Sequence, residues 1–259
     1  MYETLIFEVA DSKASITLNR PDVYNAMNDS LRSELQDALK QAARDKEVRV
    51  VIITGAGKAF CSGQDLKEVL ANPDRSIAES LRKGYNPIIL AMRKMAKPII
   101  CRLNGIAAGA GCSLALACDL IIAAEEAAMT EIFINIGLVL DSGSSFFLPR
   151  LVGSARAFEL ATTGRKISAK EGYELGIINK VVPMEQLTDA VNSLTNYYAG
   201  APTHAIGLMK KMLNKSYYSD LETMLEYEAY YQEIAASSTD NKEGVKAFLE
   251  KRKPIFIGN

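Results

Sequence analysis

The chain has 259 residues, 48% hydrophobic and 24% charged, with a formal net charge of −1. This length suits one large domain, or a core with an appendage, and the apolar share supplies a sizeable core. The charge balance argues against a protein that lives on phosphate backbones, and the short basic runs Lys210-Lys211 and Lys251-Arg252-Lys253 read as solvated surface.

Alternating residues over Thr4–Val9 and Ala14–Leu18 predict two strands joined by the turn Asp11-Ser12-Lys13. Pro21, which cannot donate to a ladder, follows the second strand. Asn28 or Asp29 then caps a helix over Ser30–Asp45 with Leu31, Leu35 and Leu39 on one face. The β-branched run Val48–Thr54 reads as a strand buried on both faces. A Gly-rich loop from Gly55 to Gln64 leads to a short helix at Asp65. One helix is expected over Ser76–Met95 and a strand over Pro98–Arg102. A small-residue loop, a short helix over Gly111–Ala117 and a strand over Leu120–Ala124 come next. Such alternation predicts an α/β layer fold. Beyond Asp141 the chain reads as helices over 142–152, 154–163, 169–175, 184–199, 202–216, 220–237 and 239–251, interrupted by one strand over Ile177–Val182. The boundary between a core (1–195) and a helical C-terminal region (196–259) is expected near 190–200.

Several chemistries drop out. Gly55-Ala56-Gly57 and Gly109-Ala110-Gly111 lack the third glycine of a dinucleotide fingerprint, and no P-loop or G-x-S-x-G occurs. His204 is the only histidine and reads as surface. With no C-x-x-C pair among Cys61, Cys101, Cys112 and Cys118, no metal site is implied. The cysteines suit free thiols in a reducing cytosol. Met1-Tyr2-Glu3-Thr4-Leu5 has no signal-peptide character, and the Gly105–Cys118 run is too short to span a bilayer, so a cytoplasmic protein without a membrane partner is expected.

The stretch Asn104–Arg150 concentrates the small residues. Glycines there let the backbone approach a ligand. Ala110 reads as a backbone N–H donor at a helix start, with Asp141 as the carboxylate facing the same place. Asp141 admits two readings, an N-cap of helix 142–150 and a general base. Its apolar neighbours Leu138, Val139, Leu140, Phe146 and Phe147 would raise its pKa, while a helix N-terminus would lower it.

Together these residues resemble the crotonase (enoyl-CoA hydratase/isomerase) superfamily. The resemblance rests on Leu18-Asn19-Arg20-Pro21 with Asn25-Ala26, on Phe60-Cys61-Ser62-Gly63-Gln64-Asp65-Leu66, and on Asn104-Gly105-Ile106-Ala107-Ala108-Gly109-Ala110-Gly111. It continues through Cys118-Asp119-Leu120, Gly137-Leu138, Leu148-Pro149-Arg150-Leu151-Val152-Gly153, Gly164–Ala169 and Gly176-Ile177-Ile178. It implies a core of repeated ββα units, with C-terminal helices that build trimers or dimers of trimers. The implied substrate is an acyl-CoA thioester, with neither metal nor further cofactor. Its carbonyl would be held by the N–H groups of Gln64 and Ala110. Arg20, Ser62, Gly63, Asp65, Leu66, Gly109, Ser113 and Phe133 are implied along the bound substrate, and Lys251 and Phe256 near the CoA of a neighbouring copy.

Departures from the family pattern narrow the implied subtype. Hydratases carry two Glu residues where this chain has Ser113 and Phe133. Asp141 matches the base of the single-Asp isomerases, such as the epoxyphenylacetyl-CoA isomerases of phenylacetate degradation. The dehalogenase branch needs a Trp and a His that this chain lacks there. Double-bond isomerisation is therefore the leading reading. One rival is a hydratase using Glu131, which in an extended segment would share a face with Phe133, or using water held by Asp141. A second is an RNA-binding relative, which the charge balance disfavours. Tyr85, Met92 and Met95 are candidates to line the acyl pocket. Met224, Tyr227, Tyr231 and Ile234, with Leu221 and Leu225, give the late helix an apolar surface suited to assembly.

Overall fold

A computed structural model describes residues 2–259. Strands β1 (Leu5–Ala10) and β2 (Lys13–Leu18) form an antiparallel hairpin with Leu5 opposite Leu18. Asp11 and Ser12 both take positive φ at its turn, the twist that a two-residue hairpin needs. Helix α1 (Asp29–Arg44) is capped by Asn28, whose side chain accepts the Leu31 N–H, and buries Leu31, Leu35, Ala38 and Leu39. Strand β3 (Val50–Gly55) is buried throughout, and β4 (Ala59–Cys61) follows at once. Helices α2 (Leu66–Ala71), α3 (Ile77–Ser80) and α4 (Asn86–Lys94) precede β5 (Ile99–Leu103) and β6 (Ile106–Ala108). The short helix α5 (Ala110–Leu116) leads to β7 (Leu120–Ala124) and β8 (Ala128–Thr130). The remainder is α6 (Ser144–Val152), α7 (Ser154–Thr163), β9 (Ile167–Ser168), α8 (Ala169–Glu174), β10 (Lys180–Val182), α9 (Met184–Ala199), α10 (Thr203–Ser216), α11 (Leu221–Ala236) and α12 (Thr239–Leu249).

The strands make two sheets, ordered β1-β2-β3-β5-β7-β10 and β4-β6-β8-β9. Three times the chain leaves the carboxyl end of a first-sheet strand and enters the second sheet at once: β3 to β4, β5 to β6, β7 to β8. Buried Asn104 fixes one such crossing. Its Oδ1 accepts from Thr54 Oγ1 and Gly55 N, and its Nδ2 donates to the Gly57 and Ala59 carbonyls. The approach excludes any side chain at Gly55, where a Cβ would stand 2.2 Å from the Ala59 oxygen.

Four strands were unexpected. β4, β6, β8 and β9 have two or three residues each, too few to display a period of two; β4 and β6 lie in stretches that read as loops, and β8 and β9 where the sequence predicts no element. The helix expected over Ser76–Met95 is broken by a wider π turn at Leu81–Tyr85. Pro87 has no N–H to give the preceding turn, and the Gln36 amide takes up the Lys83 and Gly84 carbonyls instead. The strand expected over Ile177–Val182 shortens to Lys180–Val182, because the Ile177 and Ile178 N–H groups close the end of α8 on the Gly172 carbonyl.

The division expected at residue 195 falls inside α9, which packs Leu187, Val191 and Thr195 inward near β3, β5 and β7. α10 is also tied to the core, through Gly207 against Ala96 and an ion pair from Lys210 to Asp119 (2.6 Å). Unlike α9, α10 and α12, α11 has no fully buried residue, and it leaves Leu221, Leu225 and Tyr230 exposed. Among the described residues no helix is long and apolar enough to cross a membrane.

Candidate active site

Two loops at the β4 and β6 ends meet. Gly63 holds φ +93° and Gly109 φ +52°, ψ −124°, a backbone that residues with a Cβ rarely adopt. A Cβ on Gly63 would lie 2.7 Å from the Ala108 oxygen and 3.4 Å from the Ala110 nitrogen, so these loops touch. Around Gln64 the neighbouring peptides are engaged: Met27 N donates to the Gly63 carbonyl (2.7 Å) and Asp65 N to the Met27 carbonyl (3.1 Å). The N–H groups of Gln64 and Ala110 have no acceptor among the described residues. The structure thus places the Gln64 and Ala110 peptides on touching loops.

Asp141 is half-buried, and its Oδ1 has no hydrogen-bond partner. It is not a helix cap. Ser142 (φ 50°) and Gly143 (φ 91°) turn the chain so that α6 begins at Ser144, with no side-chain cap, and the Asp141 carbonyl rather than its carboxylate accepts Ser144 N (3.0 Å). Burial raises the carboxyl above its ordinary value. Around Gly143 a Cβ would meet the Phe147 ring and Ile89 Cγ2 (3.3 Å), which places α4 against this loop.

Ser113 and Phe133 flank the same loops. The Ser113 hydroxyl lies 2.7 Å from Ser144 Oγ, 3.1 Å from the Asp141 carbonyl and 3.3 Å from the Gly109 carbonyl. Phe133 lays its ring 3.8 Å from where a Gly109 Cβ would be. Glu131 does not lie in an extended segment with Phe133. Ile132–Ile136 is a 3₁₀ turn, and Glu131 is 1% exposed, accepting from Ser144 Oγ at 2.8 Å. Burial pushes its carboxyl up to about 7 against the Ser144 and Cys112 hydrogen bonds, and the Asp141 charge adds to the rise.

The remaining expected residues divide. Arg20 pairs with Asp65 (2.8 Å), and Asp65 caps α2 by accepting Lys67 N. Burial alone would raise the Asp65 carboxyl, but Arg20 and the α2 amides hold it below the ordinary range. Both residues thus brace the Gln64 loop. Ser62 ties that loop to Val23 through Oγ (3.3 Å), and Leu66 is exposed beside it. Tyr85 joins the site by donating to Gln64 Oε1 (2.5 Å), whereas Met92 and Met95 are core. Lys251 and Phe256 are not brought here within the chain. The Phe256 carbonyl accepts from Arg49, which immediately precedes β3 and so lies at the far end of that strand from Gly55.

Sequence reading missed Arg32, 1% exposed, which donates to Gln64 Oε1 (3.0 Å), Tyr85 OH (3.2 Å) and the Met27 carbonyl (3.1 Å). The available signal was its spacing, three and seven residues before Leu35 and Leu39 on the buried face. Ser144 was missed because nothing local distinguishes it from Ser142 and Ser145. All four cysteines are buried and free, and His204 is exposed.

This geometry has known counterparts. Residues 8–259 match the enoyl-CoA hydratase/isomerase family. The chain is 41% identical to 1,2-epoxyphenylacetyl-CoA isomerase of Escherichia coli K12, over 100% of both chains. It is 34% identical to crotonyl-CoA hydratase of Syntrophomonas wolfei, over 99% of this chain and 98% of that one. The crystal structure of an enoyl-CoA hydratase from Mycobacterium smegmatis superposes with a TM-score of 0.93 at 33% identity, covering 98% of this chain and 99% of that one. Two touching loops with unengaged backbone N–H groups, a half-buried Asp and a whole-length match lead to one conclusion: this chain belongs to the enoyl-CoA hydratase/isomerase family, with the crotonase fold.

Proposed function

We propose that this enzyme shifts the double bond of an acyl-CoA, converting a 3-enoyl-CoA to a 2-enoyl-CoA or carrying out the related epoxyphenylacetyl-CoA isomerisation. The observation that carries this reading is Asp141: a half-buried carboxylate with an unpartnered oxygen, beside Ser113 and Phe133 where a hydratase needs two carboxylates. The thioester oxygen would accept from the N–H groups of Gln64 and Ala110. Preorganised donors of this kind are worth roughly 3–4 kcal/mol each to a developing enolate. Asp141 removes a proton from C2, the charge spreads to C4 through the double bond, and the same carboxyl returns the proton at C4. One base that moves between two carbons suffices.

A hydratase must hold water with a second carboxylate. Glu131 is the candidate for it, yet it is buried and bonded to Ser144. The test is the pair of reactions on one preparation. Isomerisation of a 3-enoyl-CoA should exceed hydration of crotonyl-CoA, and Asp141→Asn should lower isomerisation by about 10²–10⁴-fold. Fast hydration that survives Asp141→Asn would make the enzyme a hydratase.

A further inference from the structure

A buried carboxylate linked through two hydroxyls to the Asp141 main chain needs a reason. Glu131 pairs with no Lys or Arg among the described residues, and its Oε2 has no hydrogen-bond partner. The titratable groups facing it are Cys112 of α5, whose thiol burial holds well above its usual range, and Asp141 ahead of α6. Ser144 of α6 and Ser113 of α5 complete its polar surroundings. A carboxyl shut off from water with no cation beside it holds its proton more tightly, and the Asp141 charge adds to this. That leaves Asp141 ionised and Glu131 neutral.

We propose that neutral Glu131 is a positioning residue which, through Ser144 and Ser113, orients the Asp141 carbonyl and the Gly109–Ala110 peptide, and that its ionisation switches the enzyme off. The proposal rests on the reading of Asp141 as the base. Hydroxyl bookkeeping gives the mechanism. With the proton on Glu131 Oε1, the 2.8 Å contact to Ser144 Oγ runs the other way, Glu131 donating, and Ser144 then donates to Ser113 Oγ (2.7 Å). Ser113 then gives its hydrogen to the Asp141 carbonyl (3.1 Å) or the Gly109 carbonyl (3.3 Å). The Gly109 carbonyl and the Ala110 N–H belong to one peptide group, so a donor on the first polarises the second. With Glu131 ionised, the chain reverses. Ser144 donates to the carboxylate, Ser113 turns to Ser144, and both main-chain carbonyls lose the hydroxyl. The added negative charge also opposes an enolate in the same site.

The pH profile of kcat for 3-enoyl-CoA isomerisation tests this. In the wild type kcat should fall on the alkaline side of about pH 7, and about tenfold by one unit above it, where one carboxyl in about eleven stays neutral. Glu131→Gln cannot ionise and retains a donor for Ser144, so its profile should lack that fall. Ser113→Ala breaks the relay and should shrink the fall to the part due to the Glu131 charge alone. Should Glu131→Gln fold poorly, an infrared titration of the wild type, in which the Asp141 charge is kept, reads the proton directly. A protonated-carboxyl band should persist at about pH 6 and vanish by about pH 8. An alkaline fall of equal size in Glu131→Gln, or no such band in the wild type, overturns the proposal. Full activity in Asp141→Asn would instead overturn the assignment of the base.

Discussion

Gly63 stands against Ala110 so closely that a methyl group on it would lie 3.4 Å from the Ala110 backbone nitrogen, the proposed partner of the Gln64 N–H, and 2.7 Å from the Ala108 oxygen. Gly63 also holds φ +93°. Gly63→Ala therefore strains the backbone by about 1–3 kcal/mol and pushes the two loops apart. A misplaced donor weakens its contact with the developing enolate, so kcat should fall at least about tenfold. Substrate turnover and thermal unfolding on the same sample check it. Unchanged turnover would remove the Gln64–Ala110 pair from the mechanism.

Arg32 offers a test from the other side of Gln64. Its guanidinium is buried and joins Gln64, Tyr85, Met27, Glu68 and Asp29. Arg32→Met keeps the length of the stem and removes every donor. Glu68 retains Arg75, and Gln64 Oε1 retains Tyr85, so the loss is partial. We expect about 2–4 kcal/mol of destabilisation, read as a Tm lower by roughly 5–10 °C for a chain of this size. A shift within about 1 °C would show that the cluster is not stabilising.

Much of the site was legible because its parts carry residue-level signals. Gly63 and Gly109 announce backbone that only glycine tolerates, and Ser113 and Phe133 announce what is missing. The long elements were legible too: α1 by its leucine spacing and β3 by its β-branched run. The second sheet was not, since strands as short as Ile167–Ser168 take their partners from across the fold rather than from a local pattern. Asp141 was legible as a residue but ambiguous as a role. Two consecutive positive-φ residues, Ser142 and Gly143, separate it from the helix it looked set to cap. Glu131 was misplaced because its segment turns into a 3₁₀ helix where an extended chain was assumed.

The C-terminal surface predicts assembly. α11 buries nothing within the chain, and Leu221, Leu225, Tyr230, Phe248 and Leu249 are all exposed on α11 and α12. Apolar area of that extent on neighbouring helices marks an interaction surface. A trimer or dimer of trimers should appear in light scattering at micromolar concentration, as three or six times the 28.3 kDa of one chain. Replacing Leu221 and Leu225 by Lys should shift the mass towards a single chain. A wild-type protein that scatters as one chain would sink this.

Stability should carry the signature of Glu131. The folded chain holds this carboxyl at about 7, raised from an ordinary 4.5. A raised acid binds its proton more tightly folded than unfolded, so its contribution is full below about 4.5 and is lost as pH rises through about 7. In that window the unfolded chain has released the proton and the folded chain has not, so unfolding free energy falls with each unit. The change is about 3 kcal/mol at most across the window. Denaturant unfolding at about pH 5 and about pH 8 should show this loss in the wild type. Glu131→Gln, which stays neutral, should show a smaller loss and exceed the wild type at the higher pH. A variant less stable than wild type there would mean that Glu131 is ionised in the folded chain and stabilised by a partner.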